Sequence, residues 1–260
     1  SQGRLDRRIG PELDRSEPAI ADVGRAFDMA AGKLQELTES RSRLFHDISH
    51  EIRSPLARLQ AQTALLRQNP ARLTAMLPRM DADIGRIDQL VEEILTLARI
   101  ERGGVRAATP VQMDLIDILD PILRDAAFEG QSRRVTLRYQ GPDQLPMQGD
   151  PELLHRAAEN IIRNALRYAP PDSAVEVTVR ATDPHVSLTV RDHGPGVEQD
   201  QLASIFHAFV RDEACQGSGL GLTIAANAIR LHGGTIKAEN AESGGLRIRC
   251  RLPRHPVMDA

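Results

Sequence analysis

Apolar residues recur at alternating steps of four and three along residues 73–98, and most positions between them are polar or charged. This spacing is typical of a helix with one apolar seam, as in coiled coils. The seam residues are Leu73, Leu77, Met80, Ile84, Ile87, Val91, Ile94 and Ala98. An amphipathic pattern that begins near Ile20 predicts an earlier long helix, ending at Asn69-Pro70. Two such helices cannot cover the seam alone, so the pattern favours a four-helix bundle made by two chains.

Beyond residue 103 the apolar pattern changes to short segments, which predicts a second region of strands and helices. The predicted helices are residues 113–128, 151–168 and 220–231, and the predicted strands are residues 135–139, 174–180, 186–192, 234–239 and 245–252. This order predicts an α/β sandwich with a mostly antiparallel sheet. Gly103-Gly104 end the seam helix, which Pro78 breaks near its first turn, and the small residues up to Thr109 predict a linker.

The composition narrows the function classes. With 260 residues, of which 41% are hydrophobic, the chain is long enough for about two domains. The net charge of −3 disfavours nucleic-acid binding by a broadly basic surface. Cys215 and Cys250 form no paired motif, so we expect plain thiols and no cysteine-bound zinc. No apolar stretch approaches the roughly 20 residues that cross a bilayer, and residues 1–10 lack the centre of a signal peptide, so we expect this stretch of chain to be soluble.

Two glycine runs are candidate ligand loops. Asp192, Gly194 and Gly196 follow a predicted strand, where glycine lets a ligand approach the backbone closely. The second run opens a predicted helix, whose unpaired N–H groups and positive dipole end favour phosphates. Its residues are Gly217, Ser218, Gly219, Leu220 and Gly221. Either run alone is also explained by a tight turn or a helix cap, and a dinucleotide-binding fingerprint is disfavoured because it would follow the first strand of a parallel βαβ unit.

The polar segment 199–216 between the two glycine runs is a candidate mobile lid over a phosphate site. It contains Phe206 and Phe209, followed by Arg211 and further charged residues. The two phenylalanines are explained equally well as ordinary core anchors.

Asn160 and Asn164 lie four residues apart in one predicted helix and therefore on one face. Amide oxygens suit Mg²⁺, which prefers hard oxygen ligands and keeps waters and nucleotide phosphates in its shell. Arg163, Arg167 and Tyr168 add donors that suit phosphates. The asparagines alone are also explained as residues that cap or cross-link helices.

His50 lies in a helical pattern that contains a proline. Pro55 gives no N–H to the Glu51 carbonyl and its ring presses against that group, so we expect the helix to bend just beyond His50. Taken alone, a polar helical histidine is usually a solvated surface residue. His46 and His50 also imitate the zinc-protease pattern HExxH, with Asp47 in place of glutamate, so a zinc hydrolase is one alternative.

In their order along the chain, the His50 segment, the asparagine pair and the two glycine runs resemble the motifs of sensor histidine kinases of two-component signalling. The resemblance covers residues 20–252. The stretch from His50 to Leu56 is similar to the family's phosphoacceptor box, and residues 47–67 resemble envelope-stress kinases of the Cpx type most closely. The asparagine segment resembles the N box, and the two glycine runs resemble the glycine boxes.

The resemblance implies three segments. Residues 1–38 resemble the second half of a HAMP signal-relay module, residues 39–104 the dimerisation and histidine phosphotransfer domain, and residues 110–254 the catalytic ATP-binding domain. The implied fold is an all-α dimeric four-helix bundle, with one helical hairpin per chain, followed by an α/β sandwich of the histidine kinase, gyrase and Hsp90 type. The implied partners are a second copy of the chain and a cognate response regulator, with no nucleic acid. The whole protein would span a bacterial inner membrane and carry this chain in the cytoplasm.

By this resemblance the α/β domain binds ATP together with Mg²⁺. Asp192 is implied to accept a hydrogen bond from the adenine amino group, while Asn160 and Asn164 hold Mg²⁺ on the phosphates. The other implied nucleotide-binding residues are Arg167, Tyr168, Gly194, Gly196, Phe206, Phe209, Arg211, Gly217, Ser218, Gly219, Leu220 and Gly221.

The resemblance also makes His50 the phosphorylated nucleophile, which is mostly neutral at pH 7 at an ordinary pKa of about 6.5. Glu51 is implied to accept a proton or orient the ring, and Arg53 to steady the transferred charge. Ser54 stands where the family often has threonine, whose hydroxyl helps to dephosphorylate the regulator. Serine keeps that hydroxyl without the methyl group that restricts it, so phosphatase activity is still expected. A changed bend at Pro55 is expected to switch the access of His50 to the ATP domain.

A second alternative is a non-catalytic ATP-binding scaffold, in which the bundle transmits conformation and His50 is never phosphorylated. The intact motifs argue against this interpretation. The zinc hydrolase is disfavoured because it leaves the nucleotide motifs without a role.

Overall fold

The first part of the molecule is a helical hairpin. The computed structural model describes residues 18–101, 111–210 and 218–255. Helix α1 spans Pro18–Gln68, a short 3-10 helix spans Pro70–Arg72, and helix α2 spans Leu73–Glu101. The side-chain oxygen of Asn69 accepts a hydrogen bond from the Ala71 N–H at 3.2 Å, which caps the short turn. The predicted end of the first helix at Asn69-Pro70 is confirmed.

Both long helices continue through their prolines. Pro55 lies inside α1, and Pro78 lies inside α2. The prediction that Pro78 breaks the second helix pattern is therefore wrong, because the helix begins five residues earlier, at Leu73, and continues past the proline to Glu101. Pro55 is buried, and the expected bend beyond His50 stays a prediction.

The apolar seam of the hairpin is largely uncovered in the single chain. Leu77 and Ile84 expose 45% and 46% of their surfaces, and on α1 Phe45 exposes 55%. Among the side chains described up to Ile87, the buried ones are Ala31, Pro55 and Asp83. A hairpin with so few buried residues needs another surface to cover its seam.

The second part of the molecule is an α/β sandwich. Its strands are β1 Val111–Asp114, β2 Thr136–Gln140, β3 Pro146–Gly149, β4 Ala174–Thr182, β5 His185–Arg191, β6 Thr235–Asn240 and β7 Leu246–Pro253. Its helices are α3 Leu115–Arg133, α4 Pro151–Tyr168 and α5 Gly221–Leu231, and a 3-10 helix spans Ser204–Phe206. The predicted helices and strands of this region are all present, with ends that differ by a few residues.

Five strands form the main sheet in the order β2-β4-β5-β7-β6. Strands β2 and β4 are parallel, and the other three neighbouring pairs are antiparallel. Along β4, Val175, Val177 and Val179 are at most 3% exposed, whereas Glu176 and Thr178 between them are more accessible. This alternation turns one face of the sheet toward the core, against which α4 packs. The predicted α/β sandwich with a mostly antiparallel sheet is confirmed.

The strands β1 and β3 form a separate antiparallel pair that the sequence pattern did not predict. Each has four residues, so neither is long enough to show a clear alternation. Val111 pairs with Gly149, and these two residues are separated along the chain by α3 and β2. Such a pairing is decided by long-range contacts rather than by the local pattern.

Helix α4, which carries the asparagine pair, is fixed firmly at its start. The Oδ1 atom of Asp150 accepts hydrogen bonds from the N–H groups of Glu152 and Leu153 at 3.0 and 3.1 Å. The Asp150 N–H in turn donates to Nε2 of His232 at 2.9 Å, and Nδ1 of His232 lies 2.7 Å from the Ala228 carbonyl oxygen. Burial lowers the pKa of His232, so the ring is neutral and carries its proton on Nδ1.

The chain divides into two compact units between Ile87 and Asp88, inside α2. The last turns of α2 therefore belong to the unit that contains the α/β sandwich. The boundaries expected from the sequence, at residues 38, 104 and 110, stay predictions, and residues 1–17 and the linker at 103–109 lie outside the described residues. No helix within the ranges 18–101, 111–210 and 218–255 combines the length and apolar character needed to cross a membrane.

Cys250 is a free, buried thiol in β7, and burial raises its pKa to about 12. The thiol is free, as expected from the sequence, and its burial makes it an inert core residue. Cys215 lies outside the described residues.

Candidate active site

Helix α4, the end of β5 and the start of α5 meet around one cavity of about 460 Å³. This volume is within the range that holds a small-molecule ligand. Among the residues predicted from the sequence, the cavity brings together Asn164, Tyr168, Asp192 and Gly196. The rest of the wall is mainly apolar and is formed by Pro195, Val197, Glu198, Gln201, Ile205, Val210, Leu222 and Leu246.

Asp192 is the buried carboxyl group of this cavity. It is 3% exposed, and its Oδ1 atom accepts hydrogen bonds from the N–H groups of Gly194 at 2.8 Å and Leu246 at 3.1 Å. Burial raises the pKa of Asp192, and the two backbone hydrogen bonds oppose that shift. A Cβ atom on Gly194 would lie 2.5 Å from the Tyr168 carbonyl oxygen, so a larger residue does not fit there. An acceptor fixed among apolar walls suits a ligand amino group.

A smaller cavity of about 80 Å³ shares five lining residues with the first, namely Asn164, Tyr168, Ile205, Val210 and Leu222. It adds polar groups from α4 and from the second glycine run, namely Asn160, Arg163, Arg167, Ser218, Gly219 and Gly221. The first N–H groups of α5 have no partner within their helix. Cationic side chains beside a helix N-terminus form a suitable environment for phosphates.

The asparagine pair fits a magnesium site at this smaller cavity. Both Asn160 and Asn164 border it, and a Cβ atom on Gly221 would lie only 2.9 Å from Oδ1 of Asn160. The amide oxygen of Asn160 therefore points at the start of α5, and only glycine leaves room between them. Neutral oxygen donors beside side chains that suit phosphates match the preference of Mg²⁺, which shares its shell with waters and substrate phosphates.

The second glycine run is tied to the middle of the segment 199–216 that was predicted as a lid. The Phe209 N–H donates to the Gly219 carbonyl oxygen at 3.0 Å. Gly219 has φ +75°, and a Cβ atom there would lie 2.8 Å from Cα of Phe209, so glycine is required at this position. Phe206 and Leu220 are buried at 7% and 0% exposure, which makes their side chains core residues. Arg211 and Gly217 lie outside the described residues.

Glu93 of α2 borders the smaller cavity and was not predicted from the sequence. It is 8% exposed, and its Oε1 accepts a hydrogen bond from Nε2 of Gln89 at 3.0 Å, while its Oε2 has no hydrogen-bond partner among the described residues. Burial raises the pKa of Glu93, whereas Ser218, Gln89 and the cationic Arg167 lower it. The Glu93 carboxyl group thus lies beside the smaller cavity, whose other polar groups are mainly hydrogen-bond donors that suit phosphate. Glu93 falls between the seam residues Val91 and Ile94, and the sequence pattern gave no signal of this position beside the cavity.

Asn240 is a second residue that the sequence did not reveal. Its Oδ1 accepts from the Val197 N–H at 2.9 Å, and its Nδ2 donates to the Val197 carbonyl oxygen at 2.6 Å. The pair of bonds holds the first glycine run in place, at Gly196, which has φ +77°. The two residues are far apart in the chain, so no local motif links them.

The His50 segment lies on α1, in the other unit. His50, Arg53 and Ser54 are exposed, and Glu51 is half-buried. The rings of His46 and His50 are 4.5 Å apart between centroids, in an edge-to-face arrangement. The described ranges contain no group of three or more His, Cys, Asp or Glu residues that could hold a metal ion. The two histidines therefore have no third zinc ligand there.

Two family models match the sequence. Residues 40–103 match the His Kinase A phospho-acceptor domain, and residues 149–256 match the histidine kinase-, DNA gyrase B- and HSP90-like ATPase. The first match contains the exposed histidine, and the second contains every described residue of the two cavities except those on α2.

Full-length relatives give the same assignment. The chain is 34% identical over 260 residues to the sensor histidine kinase CpxA of Escherichia coli K12, which covers 97% of this chain and 55% of the relative. It is 31% identical over 259 residues to the signal transduction histidine-protein kinase BaeS of the same organism, covering 96% of this chain and 54% of the relative. The chain thus spans about half the length of the curated relatives that it matches.

A solved structure shares the fold. The Acinetobacter baumannii histidine kinase AdeS superposes with a TM-score of 0.67 at 18% identity, covering 79% of this chain and 98% of that chain. A histidine in a phosphoacceptor region and a nucleotide-sized cavity in an ATPase fold are the two parts that such enzymes require. The chain belongs to the sensor histidine kinases of two-component systems, with a phosphoacceptor domain followed by an ATP-binding ATPase domain.

Proposed function

We propose that this chain is the kinase part of a membrane-attached sensor, which phosphorylates itself on His50 from Mg-ATP. It then transfers the phosphoryl group to an aspartate of a response regulator and also removes it from that regulator. The observation that carries the proposal is the convergence of Asn164, Tyr168, Asp192 and Gly196 on one cavity of about 460 Å³. Asn164 and Tyr168 come from α4, whereas Asp192 and Gly196 come from the first glycine run, more than 20 residues further along the chain.

In the proposed nucleotide complex, the Asp192 carboxylate accepts a hydrogen bond from the adenine amino group. Its fixed position, held by the Gly194 and Leu246 N–H groups, orients the base in the larger cavity. The triphosphate then extends toward the smaller cavity, where Arg163, Arg167 and the start of α5 offer donors and positive charge. Asn160 and Asn164 would hold Mg²⁺, which neutralises phosphate charge when it is bound.

Phosphoryl transfer requires mainly positioning and charge neutralisation. A neutral nitrogen of the His50 ring forms a bond to the γ-phosphorus, and the bond to the bridging oxygen breaks, so that ADP leaves with the electron pair. The proton on the other ring nitrogen passes to Glu51, one residue along the helix. The phosphoryl group next passes from His50 to the regulator's aspartate, with Arg53 beside the transferred charge. Exposure of His50, Arg53 and Ser54 suits a surface that must receive both a nucleotide and a regulator.

The remaining parts of the proposal concern assembly. The uncovered seam on α1 and α2 supports a homodimeric four-helix bundle, and the match to sensor kinases about twice as long supports attachment to an inner membrane through segments outside this chain. The boundaries 1–38, 39–104 and 110–254 are proposed as the signal-relay segment, the phosphotransfer domain and the catalytic domain.

The test is incubation of the chain with γ-labelled ATP and Mg²⁺. We expect an acid-labile, alkali-stable label that is lost in His50→Gln and kept in His46→Gln, a matched control one helical turn earlier. Nucleotide binding without label would favour the non-catalytic scaffold. Label that persists in His50→Gln would contradict the proposed phosphorylation site.

A further inference from the structure

The Ser54 hydroxyl is joined to the second helix of the hairpin by a chain of hydrogen bonds. Nη1 of Arg58 donates to Oγ of Ser54 at 2.8 Å. The same guanidinium donates through Nε and Nη2 to Oδ1 of Asp83 on α2, at 2.9 and 2.7 Å. Nε2 of Gln62 donates to the other Asp83 oxygen at 3.2 Å. One arginine thus connects the residue four positions after His50 to a buried carboxylate across the hairpin.

Asp83 is the fixed end of this series of hydrogen bonds. Asp83 is 8% exposed, whereas Arg58 and Ser54 lie at the surface. The hydrogen bonds from Arg58 and the positive charge of Arg58 lower the pKa of Asp83, so its carboxylate stays ionised. A buried carboxylate that takes two hydrogen bonds from one guanidinium fixes the plane of that group. The third donor of Arg58 is then aimed at Ser54.

The hydroxyl group of Ser54 is hydrogen-bonded differently from other hydroxyl groups on the same helix. Oγ of Ser49 donates to the Phe45 carbonyl oxygen at 2.8 Å, and Oγ1 of Thr63 donates to the Leu59 carbonyl oxygen at 2.8 Å. That is the usual arrangement of a hydroxyl within a helix. Ser54 instead accepts from Arg58, and none of the described residues accepts its proton. The hydroxyl therefore keeps one O–H donor and one lone pair for a molecule outside the helix.

The same contact compensates for a difference in sequence. Threonine has two heavy atoms on Cβ and therefore few favoured rotamers, while serine turns more freely. A charge-assisted hydrogen bond from a guanidinium restricts the Ser54 hydroxyl without a methyl group. Arg58 and Asp83 thus supply the restraint that the side chain of Ser54 lacks.

We propose that Arg58, held in place by Asp83, is a positioning residue that fixes the Ser54 hydroxyl for dephosphorylation of the response regulator. The inference rests on the phosphatase activity in the proposed function. In that step a water oxygen forms a bond to phosphorus, and the aspartyl oxygen leaves with the electron pair of the broken P–O bond as a carboxylate. Both water hydrogens stay on the released dihydrogen phosphate. Ser54 changes no covalent bond and orients the water.

The test compares two activities of the whole 260-residue chain. From a panel of receiver domains, the one that accepts the phosphoryl group fastest from the wild-type chain is phosphorylated separately with acetyl phosphate. Its dephosphorylation rate and the autophosphorylation rate of each kinase variant are then measured. The main variant is Arg58→Gln/Asp83→Asn, which removes both charges and leaves no unpaired buried carboxylate. Arg67→Gln/Asp81→Asn is the matched control, since it removes an exposed arginine and an exposed aspartate from the same two helices.

We expect the ratio of dephosphorylation to autophosphorylation to fall about tenfold in Arg58→Gln/Asp83→Asn and to stay unchanged in the control. Adding Ser54→Thr should restore at least about a third of the lost ratio, because the methyl group then limits the hydroxyl. A purely structural role would not produce this rescue. Thermal unfolding and helix content measured by circular dichroism establish that each variant is folded.

Several results would overturn the inference. They are an unchanged ratio in the main variant, an equal loss of both activities, or no rescue by Ser54→Thr in a folded chain. A wild-type chain that labels His50 but never dephosphorylates the receiver would also overturn it, together with the phosphatase part of the proposed function. In that case the autokinase proposal would still stand on its own test.

Discussion

The helical hairpin and the α/β sandwich bury their apolar residues to very different extents. In the sandwich, Val175, Ile161 and Leu166 are fully buried, and the core is formed by one chain. In the hairpin, Leu77 and Ile84 each leave nearly half of their surface exposed. The sandwich therefore has the contacts it needs to fold alone, whereas the hairpin holds only part of a core.

This difference matches the tasks that we propose for the two regions. The proposed nucleotide cavity needs fixed geometry, and its Asp192 carboxylate is held by two backbone N–H groups inside a complete core. In the proposed function the His50 surface meets both a nucleotide and a response regulator, and it lies on a long helix with little buried surface. A region with few buried contacts can change its packing at low cost in free energy, which is a property that a signalling switch requires.

The largest expected effect is on assembly of the hairpin. Leu77→Glu/Ile84→Glu places two charges in the seam, and we expect the dissociation constant of the homodimer to rise at least about 100-fold, because burying unpaired carboxylates costs several kcal/mol. Sedimentation equilibrium measures this change. Ala75→Glu, on an exposed position of the same helix, is the control and should remain dimeric. A double variant that stays dimeric would show that the seam is not the interface.

The next effect concerns the sandwich and its buried acid. Asp192→Asn should weaken ATP binding about tenfold to 100-fold, because a hydrogen bond from the adenine amino group to a charged acceptor contributes roughly 1.5–3 kcal/mol. Titration with a fluorescent ATP analogue measures the affinity. The amide oxygen of asparagine can still accept from Gly194 and Leu246, so the unfolding temperature should not fall greatly. Asp200→Asn, at an exposed position, is the control, and equal affinities in both variants would contradict the role of Asp192.

A smaller effect is expected at Glu93, where α2 reaches the sandwich cavity. Glu93→Gln removes a negative charge beside the predicted phosphate site, so ATP should bind about threefold to tenfold more tightly. The exposed Glu92→Gln is the matched control. Because burial raises the pKa of Glu93, its protonated fraction grows as the pH falls toward that pKa. Calorimetric titrations at successively lower pH, starting from pH 7.5, should therefore show a gain in affinity for the wild-type chain that is smaller in Glu93→Gln. Equal pH profiles would argue against the repulsion.

The smallest effect is the pH dependence of stability in the sandwich. His232 is 1% exposed, and its pKa is lowered by burial from an ordinary value of 6.5. The unfolded chain therefore binds a proton at this residue more readily than the folded chain does. The resulting stabilisation of the folded state is present above pH 6.5 and is lost as the pH falls toward the pKa of the folded state. The slope is at most about 1.4 kcal/mol per pH unit.

Chemical unfolding at pH 7.5, 6.5 and 5.5 measures this slope. His232→Gln should reduce the difference between pH 7.5 and 5.5, while His207→Gln, at an exposed position, should leave it unchanged. A neutral, structural His232 would be contradicted if the free energy of unfolding of the wild-type chain rose as the pH fell over this range and that of His232→Gln did not.

Much of the fold could be predicted from the sequence because its signals are local. The four-and-three spacing around Ile84 requires a helix with one apolar side, and the alternation around Val177 requires a strand with one buried face. Gly219 and Gly221 were identified from their spacing, and the structure gives the reason, since a Cβ atom at either position would meet Phe209 or Asn160 closely. The short pair of β1 and β3 was missed because its pairing depends on residues far apart in the chain.

The sequence by itself determined the order of the helices and strands, the seam that needs a partner surface, and the identity of His50, Asn164 and Asp192 as candidates. It could do so because periodicity and motif spacing act over short distances along the chain. Only the tertiary structure decided that Asn240 fixes the first glycine run, that Glu93 borders the smaller cavity, and that Arg58 ties Ser54 to Asp83. These contacts join side chains on different elements, and a contact of that kind exists only after the chain has folded and brought the elements together.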